Sequence, residues 1–149
     1  MKIVRAGNEH LDVLVPLFDQ YRQFYKQPSN EKAARSFLGE RLWNRESVVF
    51  LALEEKSGAG LGFTQLYPVF SSTSMRRQWI LNDLYVVPAA RKTGVGEALM
   101  ERARQWGRET GADGVSLETA IDNKTAQRLY EKLGYKRDEV FYRYFLALE

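Results

Sequence analysis

Apolar residues recur along this chain at two different spacings, and the places where one gives way to the other mark its elements. "KIVRA" alternates like a short strand, and Asn8 after it is a suitable N-cap for a helix beginning at Glu9. Leu11, Leu14, Val15 and Phe18 follow at helical spacing, and Tyr21, Phe24 and Tyr25 extend the stripe. Pro16 falls inside that run, which predicts a kink or a break there. A second helix is predicted after Ser29, with Ala33, Phe37, Leu38 and Leu42 on its buried face. "SVVFLALEE" and "LGFTQLYPVF" read as strands, and "KSGAG" between them carries the glycines of a hairpin turn. "SSTSMRR" is a loop. "QWILNDLYVV" is a strand with apolar residues on both faces, as a central strand covered twice should have. The next helix presents Val95, Ala98, Leu99, Ala103 and Trp106 on one side and ends near Gly107 to Gly111. "VSLETA" is a further short strand. "NKTAQRLYEKLG" is a helix with Ala126, Leu129, Tyr130 and Leu133 in line, closed by Gly134 as its C-cap. "YKRDEVFYRYFLAL" supplies one or two final strands.

This order predicts an α/β (α+β) fold: a mixed, mostly antiparallel central sheet of six to seven strands flanked by four helices. Parallel pairing is expected only at the later strand–helix–strand unit. With 149 residues, 44% of them apolar, and no shift in composition, a single domain over 1–149 is expected. Composition then removes several chemistries. There is no cysteine, which excludes disulfides, thiolate nucleophiles and Cys-ligated metals. His10 is the single histidine, so no multi-histidine cluster exists and no metal is expected. Neither a signal peptide nor a bilayer-length apolar run is present, and a cytoplasmic protein without a membrane partner is expected. Lys and Arg number 22 against 19 acids, a net charge of +3. The basic residues form no stripe, which argues against nucleic acid and suits a small anionic ligand.

One junction stands apart. "RKTGVG", Arg91 to Gly96, puts two basic residues and two glycines where the central strand gives way to a helix. Glycine is poor helix material, so its place at a helix start needs a reason. The first amides of a helix have no partner and carry partial positive charge. Glycine lets the backbone approach a ligand, so Thr93, Gly94, Val95, Gly96 and Glu97 can wrap an anion, with Arg91 and Lys92 adding charge at the entrance. A Walker loop needs Lys-Ser/Thr after its glycines, and "GVGEALM" has neither. A dinucleotide fingerprint needs a third glycine where Leu99 stands.

At these residues the chain resembles the GNAT N-acetyltransferases, whose signature [Q/R]-x-x-G-x-[G/A] follows a central strand and here reads Arg91, Gly94, Gly96. A second block, "DNKTAQRLYEKLGY", is similar to theirs at Asn123, Ala126, Leu129, Tyr130 and Gly134-Tyr135. "LNDLYV" with "AQRLY" further resembles the branch of small yeast histone- and polyamine-type acetyltransferases.

The resemblance implies acetyl-CoA as donor, its pyrophosphate on the amides of Lys92 through Glu97 and its pantetheine along the edge of Leu84, Tyr85 and Val86, like a missing strand. Asn123 is implied as a polar cofactor contact; as a residue it is equally an N-cap. Glu97 departs from the family pattern, because a carboxylate suits the helix dipole but repels a phosphate unless it points away. The implied reaction is direct attack of a primary amine on the thioester, with Tyr130 as general acid toward the departing thiolate. The amide of Val86 or its neighbour would polarise the thioester carbonyl. For the base, Glu118 on the fifth strand and Asp83 beside Asn82 are rivals, and each also has a structural reading. Acceptor recognition falls to the two N-terminal helices, the "VFSSTSMRRQW" loop and the last strands, with aromatic walls that include Tyr21. Local acids would suit a polyamine or lysine, whereas Arg76 and Arg77 would suit an acceptor carboxylate. Family habit implies a homodimer through the aromatic C-terminal strand. The same motifs also fit a non-catalytic acyl-CoA sensor or scaffold.

Overall fold

Five strands, β1 (Lys2–Arg5), β2 (Val48–Leu53), β3 (Gly60–Ser71), β4 (Arg76–Val86) and β5 (Val115–Ser116), lie side by side in chain order. The first three junctions are antiparallel and β4–β5 is parallel, the mixed sheet that the pattern predicts. Four helices accompany it: α1 (Leu11–Phe24), α2 (Glu31–Trp43), α3 (Val95–Glu109) and α4 (Lys124–Lys132). The computed structural model describes residues 1–149 and separates into two units, Met1–Leu117 and Glu118–Glu149. No helix is long and apolar enough to cross a membrane.

Within the first unit, strand alternation sends side chains to two helical layers. Val49 and Leu51 of β2 pack with Leu14, Leu17 and Phe18 of α1 and Leu38 of α2. Phe50 between them turns to Trp106 of α3, their ring centroids 6.0 Å apart. Each such buried side chain contributes about 1.5–3 kcal/mol. This burial carries α1 unbroken through Pro16, where a kink or break is predicted from sequence: Leu14, Val15, Leu17 and Phe18 on either side are all buried. At the start of that helix the sequence expectation is also corrected. Asn8–His10 forms a short 3-10 turn, His10 Nδ1 accepts the Gly7 amide at 2.9 Å, and α1 begins at Leu11. The buried face of α2 is Ala34 and Leu38; Ala33 is exposed, one position round from the expected stripe.

Asp19 ties α1 to α2. Its buried carboxylate accepts from Ser29 Oγ at 2.6 Å, the Asn30 amide at 2.7 Å and Gln23 Nε2 at 2.9 Å. Asn30 then caps α2, its Oδ1 accepting from the Ala33 amide at 3.0 Å. Desolvation works against the Asp19 charge, but these bonds and nearby Arg22 outweigh it and hold the carboxyl below its usual value.

In the second unit α4 is capped by Asn123, whose Oδ1 accepts from the Ala126 amide at 3.2 Å. Gly134, with φ of +97°, closes it as predicted: its amide bonds Glu131 O at 3.1 Å and the Tyr135 amide bonds Tyr130 O at 3.0 Å. The final strands expected from "YKRDEVFYRYFLAL" do not form, which leaves five strands instead of six to seven. Asp138 Oδ1 takes the Val140 and Phe141 amides at 2.9 and 3.4 Å, a local turn that competes with strand pairing. The fifth strand is likewise shorter than "VSLETA", so Glu118 lies beyond β5, not on it.

Candidate active site

β4 contains one residue more than its partner β3. Gln65 pairs with Asp83 but Leu66 pairs with Leu81, so Asn82 is the bulged residue. The extra residue changes which way everything after it points. Trp79, before it, lies on the α3 side, 5.9 Å from the ring of Trp106. Tyr85, after it, lies on the α1 side, 6.4 Å from Tyr21, and Asp83 shares that side. The backbone changes sides as well. The Trp79 amide donates to Gly114 O at 3.1 Å and Arg77 O accepts from the Asp113 amide at 3.0 Å, both on the β5 edge. Beyond the bulge the Val87 amide goes to Leu61 O at 2.9 Å, and Asp83 O receives Thr64 Oγ1 at 2.8 Å, both on the β3 edge. Leu84 and Val86 therefore turn their peptide groups outward, and there the β4–β5 ladder has already stopped at Ile80 and Ser116. Of the three residues expected to offer this edge, Leu84 and Val86 do, whereas Tyr85 faces β3. A methyl built on Gly62 would stand 2.5 Å from Tyr85 O.

Asp83 is buried without a cation against it. Gln65 Nε2 donates to Oδ2 at 2.7 Å and Asn82 Nδ2 to Oδ1 at 3.1 Å. The Tyr21 hydroxyl lies 3.5 Å from Asn82 O and also reaches the carboxylate, so its single proton serves either acceptor in turn. Burial pushes the Asp83 carboxyl above its usual value; the bonds from Gln65, Tyr21 and Asn82 oppose the rise without cancelling it. Burial and then the Asp83 charge raise the Tyr21 phenol, and the same causes push Tyr67 up to about 12, with Arg41 acting the other way. The pattern of the sequence does not mark Gln65 or Tyr67 as site residues. A polar amide within "LGFTQLYPVF" was the available signal for the first.

β4 runs through a 3-10 turn, Pro88–Ala90, into the glycine loop. Lys92 and Gly94 both have left-handed backbones, φ +63° and +91°, and Thr93 Oγ1 bonds Ala90 O. The first helical bond of α3 joins the Ala98 amide to Gly94 O at 3.0 Å, which leaves the Val95 and Gly96 amides outside the ladder. A methyl built on Gly94 meets nothing within 4 Å, and one on Gly96 meets only Val86 Cγ2 at 3.7 Å. The chain itself leaves this surface open, which fits a bound anion. Arg91 folds back toward β4: Nε donates to Val86 O at 3.0 Å, and its guanidinium lies 5.7 and 5.9 Å from the rings of Tyr85 and Phe24. Glu97 stands in the first turn of α3, where a carboxylate complements the dipole.

Arg76 and Arg77 do not form a carboxylate clamp. Arg76 is tied to Gly111 O and Ala112 O at 3.0 and 3.4 Å, and Arg77 lies over Phe70 and Trp79. They and the Ser72–Met75 loop are at the opposite end of the β3–β4 hairpin from Asp83. In the second unit, Glu118 is exposed and paired with Arg143. Tyr130 lies on α4, half-buried, with its ring 6.2 Å from that of Tyr135. Asn123 has the capping role that its sequence position allows.

Comparison with known proteins agrees with this geometry. The profile described as "Acetyltransferase (GNAT) family" matches residues 14–135. Uncharacterized N-acetyltransferase YhfO of Bacillus subtilis (strain 168) is 46% identical over 146 residues, covering 98% of this chain and 97% of that protein. D-amino-acid N-acetyltransferase HPA3 of Saccharomyces cerevisiae is 30% identical over 133 residues, 85% of this chain and 80% of that protein. A crystal structure of a probable acetyltransferase superposes with a TM-score of 0.95 at 46% identity, covering 100% of this chain and 99% of that one. An open strand edge that leads into a glycine loop at a helix start, together with these matches, places the chain in the GNAT family of acetyl-CoA-dependent acetyltransferases, and it is an N-acetyltransferase.

Proposed function

We propose that the protein transfers the acetyl group of acetyl-CoA directly to the primary amine of an acceptor, without an acyl-enzyme. The acceptor classes are an amino acid, a polyamine, or a lysine or N-terminal amine of a peptide. The amino acid ranks first because HPA3 carries that activity in its name. The single observation behind this reading is the outward edge of Leu84 and Val86 leading, on one continuous segment, into the loop that ends at Gly94 and the first turn of α3. In this reading the loop amides hold the pyrophosphate, with Arg91 released from Val86 O to join them. The edge then bonds the pantetheine amides, and the Val86 amide polarises the thioester carbonyl.

Asp83 is the base in this reading, supported by its burial and by the lack of a cation beside it. Glu118 stands as its rival, with Arg143 competing for the charge. Tyr130 protonates the thiolate, and Asn123 adds a polar cofactor contact beside its capping role. We place the protein in the cytoplasm as one acetyltransferase domain, since the family match crosses from the first unit into the second. We also propose a homodimer that covers the exposed Val140, Phe141, Tyr142, Tyr144 and Phe145, which light scattering tests.

The direct test is calorimetric titration with acetyl-CoA, followed by thiol release across amino acids, polyamines and peptides. Saturable binding and release with at least one amine are expected; no binding refutes the donor assignment. Tyr130→Phe should lower turnover roughly 10²-fold while leaving donor affinity intact.

A further inference from the structure

Asp83 poses a problem of access. Its side chain is 5% exposed, Gln65 and Asn82 occupy its two oxygens, and an acceptor amine must still give it a proton. Tyr21 stands at the carboxylate from the α1 side. Its ring is fixed by neighbours at 5.1 Å (Tyr25), 5.8 Å (Phe63), 6.2 Å (Phe18) and 6.4 Å (Tyr85). Its hydroxyl reaches Asn82 O at an exposed position and bears on Asp83 within. The same hydroxyl thus lies between the exposed Asn82 carbonyl and the buried base.

We propose that Tyr21 is a catalytic proton relay, passing a proton from the acceptor amine to Asp83. The inference rests on Asp83 being the base. As the N–H bond of the acceptor ammonium breaks, a new bond forms from that proton to Tyr21 Oη. The original Oη–H bond breaks in the same step, and its proton bonds to Asp83 Oδ. The tyrosine ends as it began, the amine is neutral and nucleophilic, and the charge pair is gone. No phenolate forms, which suits a hydroxyl held beside a carboxylate in a poorly solvated setting. The other groups facing this pair are Gln65 and Tyr67 of β3 and Asn82 of β4. Arg41 of α2 bears on Tyr67, and Tyr25 bears on Tyr21.

Tyr21→Phe keeps the ring and removes only the relay. Assayed with the amine that releases most thiol in the panel, kcat/KM for that amine should fall roughly 10²-fold near neutral pH. The deficit should shrink as pH rises toward the amine's own pKa, while acetyl-CoA affinity stays unchanged and Tm at neutral pH falls only slightly, by the loss of one donor to the Asp83 carboxylate. A second measurement needs no acceptor: the ¹³C carboxyl titration of Asp83 should move to higher pH in Tyr21→Phe, since a donor that favours the carboxylate is lost. A wild-type rate profile, an unmoved Asp83 titration, or a drop in Tm without the pH-dependent deficit would each overturn the relay. Asp83→Asn separates the two levels. If it loses activity while Tyr21→Phe does not, the relay fails and the base stands; if neither variant changes, the base assignment fails as well.

Discussion

Gly96→Ala should make the unliganded protein more stable and the cofactor complex weaker. Gly96 is the second residue of α3, its φ is not among the positive values, and an added methyl meets only Val86 Cγ2 at ordinary contact distance, 3.7 Å. The chain therefore gains from alanine at this position. Glycine costs up to about 1 kcal/mol relative to alanine in a helix. A gain of about 0.5–1 kcal/mol corresponds to a rise in Tm of about 1–4 °C for a protein of this size. Against a ligand the sign reverses. A methyl above the first turn displaces a phosphate from amides whose bonds to a charged group are worth about 1.5–3 kcal/mol. Acetyl-CoA affinity should fall by roughly one to two orders of magnitude, at about 1.4 kcal/mol per decade. Thermal melting without ligand and calorimetric titration with acetyl-CoA measure the two effects on one preparation. Wild-type affinity in the variant would refute the cradle. A lowered Tm without ligand would show that the glycine serves the fold instead.

Three further substitutions probe the frame around the site. Gly62→Ala puts a methyl 2.5 Å from Tyr85 O, so β3 must move away from β4; overpacking of this kind costs roughly 1–3 kcal/mol, read from the urea midpoint. Asp19→Ala leaves the Asn30 amide and the Ser29 hydroxyl without their acceptor and should cost roughly 1.5–3 kcal/mol near neutral pH. The folded-state pKa of Asp19 is depressed, so its contribution is present above the ordinary value of 3.8 and is lost as pH falls through the folded one; the gap between variant and wild type should narrow in acid. Asp83 has the opposite sign. Its folded-state pKa is raised, so its ionisation penalises the fold increasingly as pH rises from 3.8 to the raised value and fully above it; Asp83→Asn should raise Tm at neutral pH and give no gain in acid, by melting curves across pH.

Much of this architecture is legible because its residues are amphipathic in the expected way. α3 and α4 are found where their stripes predict, Gly134 closes α4, and the strand–glycine–helix junction stands where Gly94 and Gly96 mark it. What escapes the pattern are competitions settled locally or by tertiary packing. Pro16 is outweighed by the burial of its neighbours, and Asp138 turns a strand-like sequence into a turn. Arg76 and Arg77 look like a ligand pair in sequence, yet backbone carbonyls and aromatic rings already use them.

The bulge at Asn82 is the deepest case, because the sequence there keeps an apparent period of two. Trp79, Leu81, Asp83 and Tyr85 read as one continuous face, and only the slipped register shows that the second pair lies opposite the first. That one extra residue does two things together. It turns a carboxylate that would have met α3 toward Tyr21 on α1, and it turns the peptide groups of Leu84 and Val86 out to an edge that β5 does not cover. The proposed base and the proposed cofactor edge are thus set by the same backbone irregularity. Inserting one residue into β3 between Gln65 and Leu66 would give Asn82 a cross-strand partner and return both to the regular pleat: Asp83 would turn to the α3 side, and the outward amides would be those of the neighbouring residues. Such an insertion should abolish acetyl-CoA binding and turnover together. An insertion variant that folds and still binds the cofactor normally would break the link between the two.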